Sequence, residues 1–493
     1  MRFQVFKNGQ PLDSFEASGA YLFGADGAGI RRSKVVFENG LLQCFKPTAE
    51  SAALALVWPV EGFGRILLPT TCLPDRDRAY CLNVEVARAR LMQIINRREE
   101  WSWFDNSKDL EEITKEAQDL FVKAVQRIRD PVVASQLADR SLRRAMVLSE
   151  RVTLAHAEAM FKARRKARRK AKAIGRGCIG CRVDLDRVGQ AGYMERFCQV
   201  GGFAVIPTTW ATLEPAMGQY DFSLVDQAIH LLSGQRLILG LGPLLSFSRL
   251  DLPAWVIEQR MGFEQIREAA FRYIGTIAAR YSRRIHRWFL VSGLNASNEL
   301  GFTVEQVREI VNAAALAVRA ANSRAFRIVE ITSPWGEYYA SVPNTISPIG
   351  FMDMLVQSGI GFEAFAVQLK FGKDQPGLHV RDLMQIASLL DVYSLLGKPL
   401  FVTGLEAPST QGQGPFDVQA AGFWHKPWDQ VRQAVWLEDI CRVALGRPWV
   451  EAVVFEHLVD TADSVIQHSG LLTETMEPKD SFNTICRFRE GIG

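Results

Sequence analysis

The first 83 residues alternate between apolar and polar side chains in short runs. A two-residue period is typical of strands that bury one face. It occurs in five segments: Phe3 to Phe6, Lys34 to Phe37, Leu41 to Phe45, Ala53 to Val57 and Arg65 to Leu68. Asn39-Gly40 separates the second segment from the third, and this dipeptide readily adopts the positive φ angles of a tight hairpin. We therefore predict a small antiparallel β-sandwich over residues 1–83.

The hydrophobic period then becomes that of a helix. Apolar residues recur at helical spacing in stretches from Val84 to Ile95, from Leu110 to Ile128 and from Leu142 to Ala173. Residues 84–176 are thus predicted to form a helical connector.

Beyond Gly177 the pattern is strand, loop and helix, repeated. Eight short apolar runs lack alternation, as expected for parallel strands covered on both faces. They are Cys181 to Leu185, Phe203 to Ile206, Arg236 to Leu241, Trp288 to Val291, Arg327 to Ile331, Phe365 to Leu369, Pro399 to Thr403 and Val450 to Phe455. Amphipathic stretches lie between most of them, most clearly at 304–321, 380–396 and 431–444. The predicted fold class is α/β: a (β/α)8 TIM barrel over residues 177–493, preceded by the sandwich and the connector.

Three segments of this predicted barrel carry a family likeness. After the second strand stands Trp210-Ala-Thr-Leu-Glu214-Pro215-Ala-Met-Gly218-Gln-Tyr220-Asp221-Phe222. Leu252-Pro253-Ala254-Trp255-Val256 follows the third strand, and Gly470 to Phe482 follows the eighth. Together they resemble family 10 of the glycoside hydrolases, the xylanase-like family of clan A. The resemblance covers roughly residues 178–490 and implies a sugar site at the carboxyl ends of the strands, an oligo- or polysaccharide partner, and no cofactor or metal.

The catalytic positions of the resembled family are altered. A retaining glycosidase uses an acid/base and a nucleophilic carboxylate held about 5–5.5 Å apart, and in clan A these groups follow strands four and seven. Here the family's Asn-Glu after strand four corresponds to Ser292-Gly293, and its Thr-Glu after strand seven corresponds to Thr403-Gly404. Both family glutamates are thus replaced by glycine.

Three other glutamates are candidates for catalysis. Glu406 lies two residues beyond Gly404, so strand alternation places both on one face, with Glu406 nearer the barrel mouth. We hypothesise that Glu299 is the acid/base and Glu406 the nucleophile, with Glu337 as a second candidate acid. The alternative is that Glu299 helps to cap the helix that begins near Thr303 and that Glu406 is a loop charge in solvent.

Aromatic and polar residues in the loops after the strands are candidates for sugar contacts, because flat rings cover the apolar faces of sugars. The candidates are Trp210, Asn295, Trp335, Tyr338, Trp424 and His425. Asn295 is alternatively an anchor for Glu299 or an ordinary loop residue. Trp335 is alternatively a packing residue at the barrel rim.

Two features suggest other chemistry. Cys178 and Cys181 have the spacing of half a zinc site, but no second pair follows at matching spacing, and the pair also suits a buried strand. The helix before the barrel carries eight cations: Lys162, Arg164, Arg165, Lys166, Arg168, Arg169, Lys170 and Lys172. Such a run either grips a polyanion or forms a solvated helix face. No aromatic residues are interleaved to stack on bases, so nucleic-acid binding is not expected.

Charge and cysteine content bear on the expected partners and cellular location of the protein. The net charge of +4 is small for 493 residues, and the eight cysteines are too few and too scattered to form a disulfide framework. No signal peptide and no run of about 18 apolar residues occurs, so we expect a cytoplasmic protein with reduced cysteines and no membrane partner.

The leading hypothesis is a glycoside hydrolase of altered specificity. The first alternative is a catalytically inactive glycan-binding or scaffold protein, which the two glycines favour. A third possibility is a platform that contacts a polyanion through the basic helix. The sandwich is either a module like a carbohydrate-binding domain or a packing partner of the barrel.

Overall fold

A computed structural model of the chain describes residues 1–492, apart from 104, 106, 172–176, 412–417, 419 and 463, and it describes no side chains for 168–171. The strands are β1 (Arg2–Gln4), β2 (Phe6–Lys7), β3 (Gln10–Pro11), β4 (Tyr21–Phe23), β5 (Lys34–Glu38), β6 (Leu41–Phe45), β7 (Ala53–Val60), β8 (Gly64–Pro69), β9 (Tyr80–Cys81), β10 (Ile179–Arg182), β11 (Phe203–Ile206), β12 (Ile238–Leu241), β13 (Arg287–Ser292), β14 (Phe326–Ile331), β15 (Ala364–Lys370), β16 (Leu400–Glu406), β17 (Phe423–Trp424) and β18 (Val450–Phe455). The helices are α1 (Leu82–Glu100), α2 (Lys108–Gln126), α3 (Pro131–Ala171), α4 (Tyr193–Val200), α5 (Trp210–Leu213), α6 (Ser223–Ser233), α7 (Ala254–Glu258), α8 (Phe263–Tyr281), α9 (Val304–Ala321), α10 (Pro348–Gln357), α11 (Leu383–Ser394), α12 (Gln430–Gly446) and α13 (Asp480–Ile492), with a 3-10 helix at Glu337–Ala340.

The predicted barrel is confirmed. Strands β10 to β16 and β18 form a closed barrel in chain order, and every neighbouring pair is parallel. The first strand lies at Ile179–Arg182, earlier than the predicted Cys181 to Leu185. Gly180 belongs in this strand because a Cβ there would stand 2.2 Å from the carbonyl oxygen of Phe203.

The barrel interior is filled by apolar side chains that point inward from its strands. The buried members of this cluster are Phe203, Val205, Phe289, Ile328, Ala364, Ala366, Phe401, Ala452 and Val454. Arg287 closes the amino-terminal end, since its guanidinium carbon lies 5.2–5.5 Å from the ring centroids of Phe203, Phe326 and Phe401. The barrel is therefore packed below its mouth, and any site must lie at the carboxyl ends of the strands.

The amino-terminal strands form two four-stranded sheets, with the orders β5-β6-β1-β9 and β17-β8-β7-β4. The hairpin at Asn39-Gly40 has the expected positive φ angles, 53° and 72°. Strand β17 was not predicted: it comes from the loop after the seventh barrel strand and pairs antiparallel with β8. The sandwich is therefore completed by a segment of the barrel.

The connector consists of α1, α2 and α3. Helix α3 is 41 residues long and begins with Pro131, earlier than the predicted Leu142. Proline suits the first turn of a helix because its missing N–H would have no partner there. Arg90 of α1 forms a buried ion pair with Asp382 at the start of α11, which ties the connector to the barrel. Among the described residues, no helix has the length and apolar character needed to cross a membrane.

Candidate functional site

A layer of polar side chains covers the apolar interior at the carboxyl ends of the barrel strands. Glu330, Gln368, Thr403 and Glu456 each stand two positions after an inward-facing residue of the interior cluster. Arg182 stands two positions after Gly180, which pairs with the inward-facing Phe203. Strand alternation therefore turns all of them toward the barrel axis. We call this group, together with Ser292, Lys370, Glu406 and His457, the mouth cluster.

Glu330 is the most enclosed carboxylate of the mouth cluster. It is fully buried and accepts hydrogen bonds from the hydroxyls of Ser292 (2.6 Å) and Thr403 (2.6 Å) and from the amide of Gln368 (2.8 Å). Arg182 lies 3.8 Å away. Three donors and a nearby cation compensate for the loss of water around this charge.

Lys370 lies between two further carboxylates. Its Nζ is 3.1 Å from Oε1 of Glu406 and 3.4 Å from Oε1 of Glu456. Arg182 Nε lies 3.4 Å from Oε2 of Glu456, and Ser469 donates a hydrogen bond of 2.7 Å to Glu406. Two cations and three carboxylates thus share one small buried volume.

The opposite charges in the mouth cluster shift the pKa values of Glu456 and Lys370 toward their ionised forms. Burial alone would raise the pKa of Glu456, but Arg182 and Lys370 outweigh it and lower that pKa to about 2. Burial alone would lower the pKa of Lys370, but Glu406 and Glu456 outweigh it and raise that pKa. Glu456 is therefore a carboxylate, and Lys370 an ammonium, at neutral pH.

Gly293 and Gly404, the two glycines that the family resemblance aligns with catalytic glutamates, have left-handed backbones. Gly293 has φ of +69°, and a Cβ there would stand 3.0 Å from Oγ1 of Thr332. Gly404 has φ of +57°, and a Cβ there would stand 3.1 Å from Oε2 of Glu456. Both positions disfavour any side chain, so a carboxylate could not replace either glycine without local rearrangement.

Glu406 and Glu299, the hypothesised catalytic pair, lie in different environments. Glu406 is fully buried in the mouth cluster, whereas Glu299 is exposed in the loop after β13. Within the described part of the chain, no hydrogen bond or ion pair connects the two. The helix that follows is capped by Thr303 and Gln306, so Glu299 does not take the capping role either.

Asn295 and Tyr338 fasten two barrel loops together. The buried Asn295 amide donates to Thr332 O (2.8 Å) and to the Tyr338 hydroxyl (2.7 Å), which in turn donates to Ile346 O (2.6 Å). These groups are already satisfied, so the geometry favours an anchoring role over sugar contact for both residues.

Glu337 and Trp335 lie where the barrel meets the sandwich. The buried Glu337 carboxylate accepts hydrogen bonds from Arg381 and from the backbone N–H of Gly377, and His379 Nδ1 is 3.7 Å away. Burial alone would raise the pKa of Glu337, but Arg381 and His379 lower it to about 2. The guanidinium of Arg381 lies 4.8 Å from the ring centroid of Trp335.

Trp210 belongs to the core. It is 1% exposed, stacks on Tyr273 and packs edge-on against Trp255. Its indole N–H donates to Glu214 (2.7 Å), and the other carboxylate oxygen of Glu214 accepts from the N–H of Gly218 (2.8 Å). The conspicuous Trp-Glu-Pro-Gly segment is therefore a structural unit that holds the loop after the second barrel strand.

Trp424 and His425 face the sandwich and the connector. Trp424 is 4% exposed and lies in β17. Its indole N–H donates to Glu150 of α3 (3.0 Å), and His425 Nε2 lies 3.0 Å from the same carboxylate. The structure thus brings Glu406 into the mouth cluster, while Trp335, Glu337, Trp424 and His425 lie at contacts with the sandwich.

The other candidate chemistry is not supported. Cys178 and Cys181 are both buried, and no group of three metal-ligating side chains occurs among the described residues. In the basic helix, Arg164 donates to the backbone carbonyls of Leu445 (2.9 Å) and Arg447 (2.8 Å), so it serves packing. The side chains of Arg168, Arg169 and Lys170, and all of Lys172, lie outside the described residues.

The polar members of the mouth cluster other than Glu406 escaped the sequence analysis. Their signal was present, because a polar residue stands two positions after an inward-facing apolar residue in several barrel strands. A single glutamate inside an apolar run such as Phe326–Ile331 does not, however, reveal which face of the strand points inward.

The resemblance to family 10 is confirmed at the level of the fold. Xylanase 10B from Thermotoga petrophila RKU-1, solved in complex with xylobiose, matches with a TM-score of 0.51 and 16% identity, over 64% of this chain and 94% of that one. A GH10 protein from Paenibacillus barcinonensis and a GH10 endoxylanase from a sugarcane soil metagenome each match with a TM-score of 0.50 and 16% identity, over 63% of this chain and 94% and 97% of theirs. No protein-family model and no curated protein sequence matches the chain. The chain thus shares the barrel fold of these GH10 proteins.

Proposed function

We propose that this protein binds an oligo- or polysaccharide at the mouth of its barrel and does not hydrolyse it by the two-carboxylate mechanism. The observation that carries the proposal is the position of Lys370 between Glu406 and Glu456. An ammonium there keeps Glu456 ionised, so that it has no proton to donate to a glycosidic oxygen, and pairs with the Glu406 carboxylate that would otherwise attack the sugar.

Three positions near the barrel mouth are unsuited to donating a proton, which supports the loss of hydrolysis. A glycosidase acid must carry its proton near the working pH. Glu456 and Glu337 both have a pKa of about 2 and are ionised at neutral pH. The family's acid position is Gly293, which has no carboxyl group. None of these three positions can therefore protonate a leaving oxygen.

The chemistry of the mouth supports saccharide binding. Four side chains keep part of their surface exposed: Arg182 (16%), Lys370 (13%), Glu456 (13%) and His457 (25%). Charged donors and acceptors of this kind form strong hydrogen bonds to hydroxyl groups. Xylanase 10B, which shares the fold, was solved with xylobiose.

Calorimetric titration with xylo-, cello- and manno-oligosaccharides tests the binding. We expect at least one series to bind, and His457→Ala to weaken that binding about two- to tenfold, since one lost hydrogen bond is worth roughly 0.5–1.5 kcal/mol. His230→Ala, an exposed histidine on α6, is the matched control and should change nothing. Equal affinity of the two variants would contradict binding at the mouth.

Hydrolysis by Glu406 as nucleophile and Glu299 as acid/base is the second candidate. It is favoured by the position of Glu406, which ends the seventh barrel strand, β16, and belongs to the mouth cluster. Activated aryl glycosides distinguish the candidates, and we expect no turnover. Turnover that falls by orders of magnitude in Glu406→Gln and Glu299→Gln, and that azide partly restores in Glu406→Ala, would replace our proposal with hydrolysis.

A further inference from the structure

A second pocket lies at the seam between the sandwich and the barrel, away from the barrel axis. It has a volume of about 270 Å³ and is bordered by β4 of the sandwich, by α1, by the segment after β14 and by α11. We call it the seam pocket. Its volume is just below the roughly 300–1,000 Å³ of typical small-molecule sites, so it suits a ligand of about one ring.

The walls of the seam pocket are aromatic. Tyr21 and Phe23 come from the sandwich, with ring centroids 5.6 Å apart, and Trp335 comes from the barrel. All three side chains are half-buried, so each keeps part of its surface available. Aromatic surfaces of this kind bury the apolar C–H face of a ring-shaped ligand.

Two polar atoms at the seam pocket lack partners. Nε of Arg381 and Oε1 of Gln93 are buried and have no hydrogen-bond partner in the described ranges, and both side chains line the pocket. Arg381 itself is 3% exposed. Since a buried polar group without a partner has lost its hydrogen bonds to water and gained none in return, such atoms are rare in folded proteins without a reason.

The charge at the seam pocket is balanced. The guanidinium of Arg381 is neutralised by its ion pair with Glu337, and Asp26 also lines the pocket. An anionic ligand would gain little from Arg381 and would meet Asp26. A hydroxyl group, in contrast, accepts from an N–H and donates to a carbonyl oxygen at the same time, which is what Arg381 and Gln93 require.

We propose that the seam pocket binds one neutral sugar ring, with its apolar face against the aromatic walls and a hydroxyl group between Arg381 and Gln93. The donor, the acceptor and the rings belong to three parts of the chain, so the site exists only where the sandwich, α1 and the barrel meet. This site is independent of the mouth cluster.

The test uses the full chain with methyl β-xyloside, methyl β-glucoside and phenol as probes in saturation-transfer NMR and calorimetry. Val392 is 43% exposed and lines the pocket, whereas Leu395 is 83% exposed on the same segment and does not line it. We expect a methyl glycoside to bind, Val392→Trp to weaken that binding at least tenfold, and the matched Leu395→Trp to leave it unchanged.

Gln93→Leu separates recognition from folding. We expect it to weaken sugar binding at least tenfold without lowering Tm, because it removes an acceptor that has no partner in the unliganded protein. Oligosaccharide binding that depends on His457 should survive Val392→Trp. The experiment therefore distinguishes a failure of the seam-pocket proposal from a failure of the proposed binding at the mouth. Binding of a methyl glycoside with unchanged affinity in Val392→Trp, binding of phenol alone, or no binding of any of the three probes at millimolar concentration would overturn the proposal.

Discussion

Lys370 is the residue on which the charge balance of the mouth cluster depends. It is the ammonium shared by the buried Glu406 and the nearly buried Glu456. Removing one partner of a buried ion pair leaves an uncompensated charge, which costs far more than an exposed pair contributes. The same residue is therefore central to stability and to the proposed absence of hydrolysis.

We expect Lys370→Met to lower the free energy of unfolding by about 3–5 kcal/mol at pH 8. The folded pKa of Glu456, about 2, lies below its ordinary 4.5, so its stabilising contribution is present above pH 4.5 and is lost as the pH falls toward 2. Without Lys370, the effect of burial on Glu456 is opposed by less positive charge, so the pKa of Glu456 rises and its protonation relieves the variant as the pH falls. Urea unfolding at pH 8 and pH 5 should thus show a smaller deficit at pH 5.

The exposed Lys426 offers a matched control for this substitution. Lys426→Met should change stability by less than about 0.5 kcal/mol at either pH. A Lys370→Met variant that is equally destabilised at pH 8 and pH 5 would mean that lost packing, not charge, explains its deficit.

Strand β17 is the element that joins the barrel to the sandwich. Trp424 pairs with Gly64 of β8, and Gly64 has φ of +108° with the Phe423 carbonyl oxygen 2.2 Å from where a Cβ would stand. Since backbone atoms cannot move aside as a flexible side chain can, this contact requires glycine. This pairing holds part of the loop after the seventh barrel strand against the sandwich.

Gly64→Ala should separate β17 from β8. We expect a loss of stability well above the roughly 1–2 kcal/mol of left-handed strain alone, together with faster amide exchange at Trp424 and His425. Hydrogen-exchange mass spectrometry and urea unfolding measure the two effects. Gly40→Ala is the matched control, because Gly40 has φ of +72° and nothing within 4 Å of its Cβ position. If both variants behave alike, the close approach at β17 contributes nothing.

At the scale of the whole molecule, the sandwich, the connector and the barrel share one continuous apolar core. The buried pair of Arg90 and Asp382 crosses from the connector to the barrel. Asp382 also caps α11 by accepting from the N–H groups of Met384 (2.9 Å) and Gln385 (3.2 Å). These links predict that the parts of the molecule unfold together.

Calorimetry should show a single unfolding transition for the full chain. Arg90→Met leaves Asp382 buried without its cation, and we expect it to shift the whole transition downward, by a loss of about 3–5 kcal/mol. Arg151→Met, at an exposed position of the connector helix α3, should cost less than about 0.5 kcal/mol. Two resolved transitions, of which only one moves, would show instead that the sandwich and the barrel are independent.

Local patterns were sufficient for the fold class and for most elements. Unalternated apolar runs predicted eight parallel strands, and Asn39-Gly40 predicted a hairpin, because these signals depend on neighbours in the chain. Seven barrel strands lie within a few residues of their predicted positions. The exceptions have longer-range causes: the first strand begins early because Gly180 fits beneath Phe203, and β17 exists only because β8 is present to pair with it.

The sequence by itself determined that Gly293 and Gly404 follow the fourth and seventh barrel strands, and their alignment with the resembled family's glutamates stays a prediction. Only the tertiary structure decided what surrounds those glycines. Lys370, Glu406 and Glu456 come from different strands, and their meeting depends on inward orientation, on the register of neighbouring strands and on the irregularity between Val402 and Leu405. The roles of Trp210, Trp424 and Glu337 were decided in the same way, since burial and ion pairing are properties of residues distant in the chain.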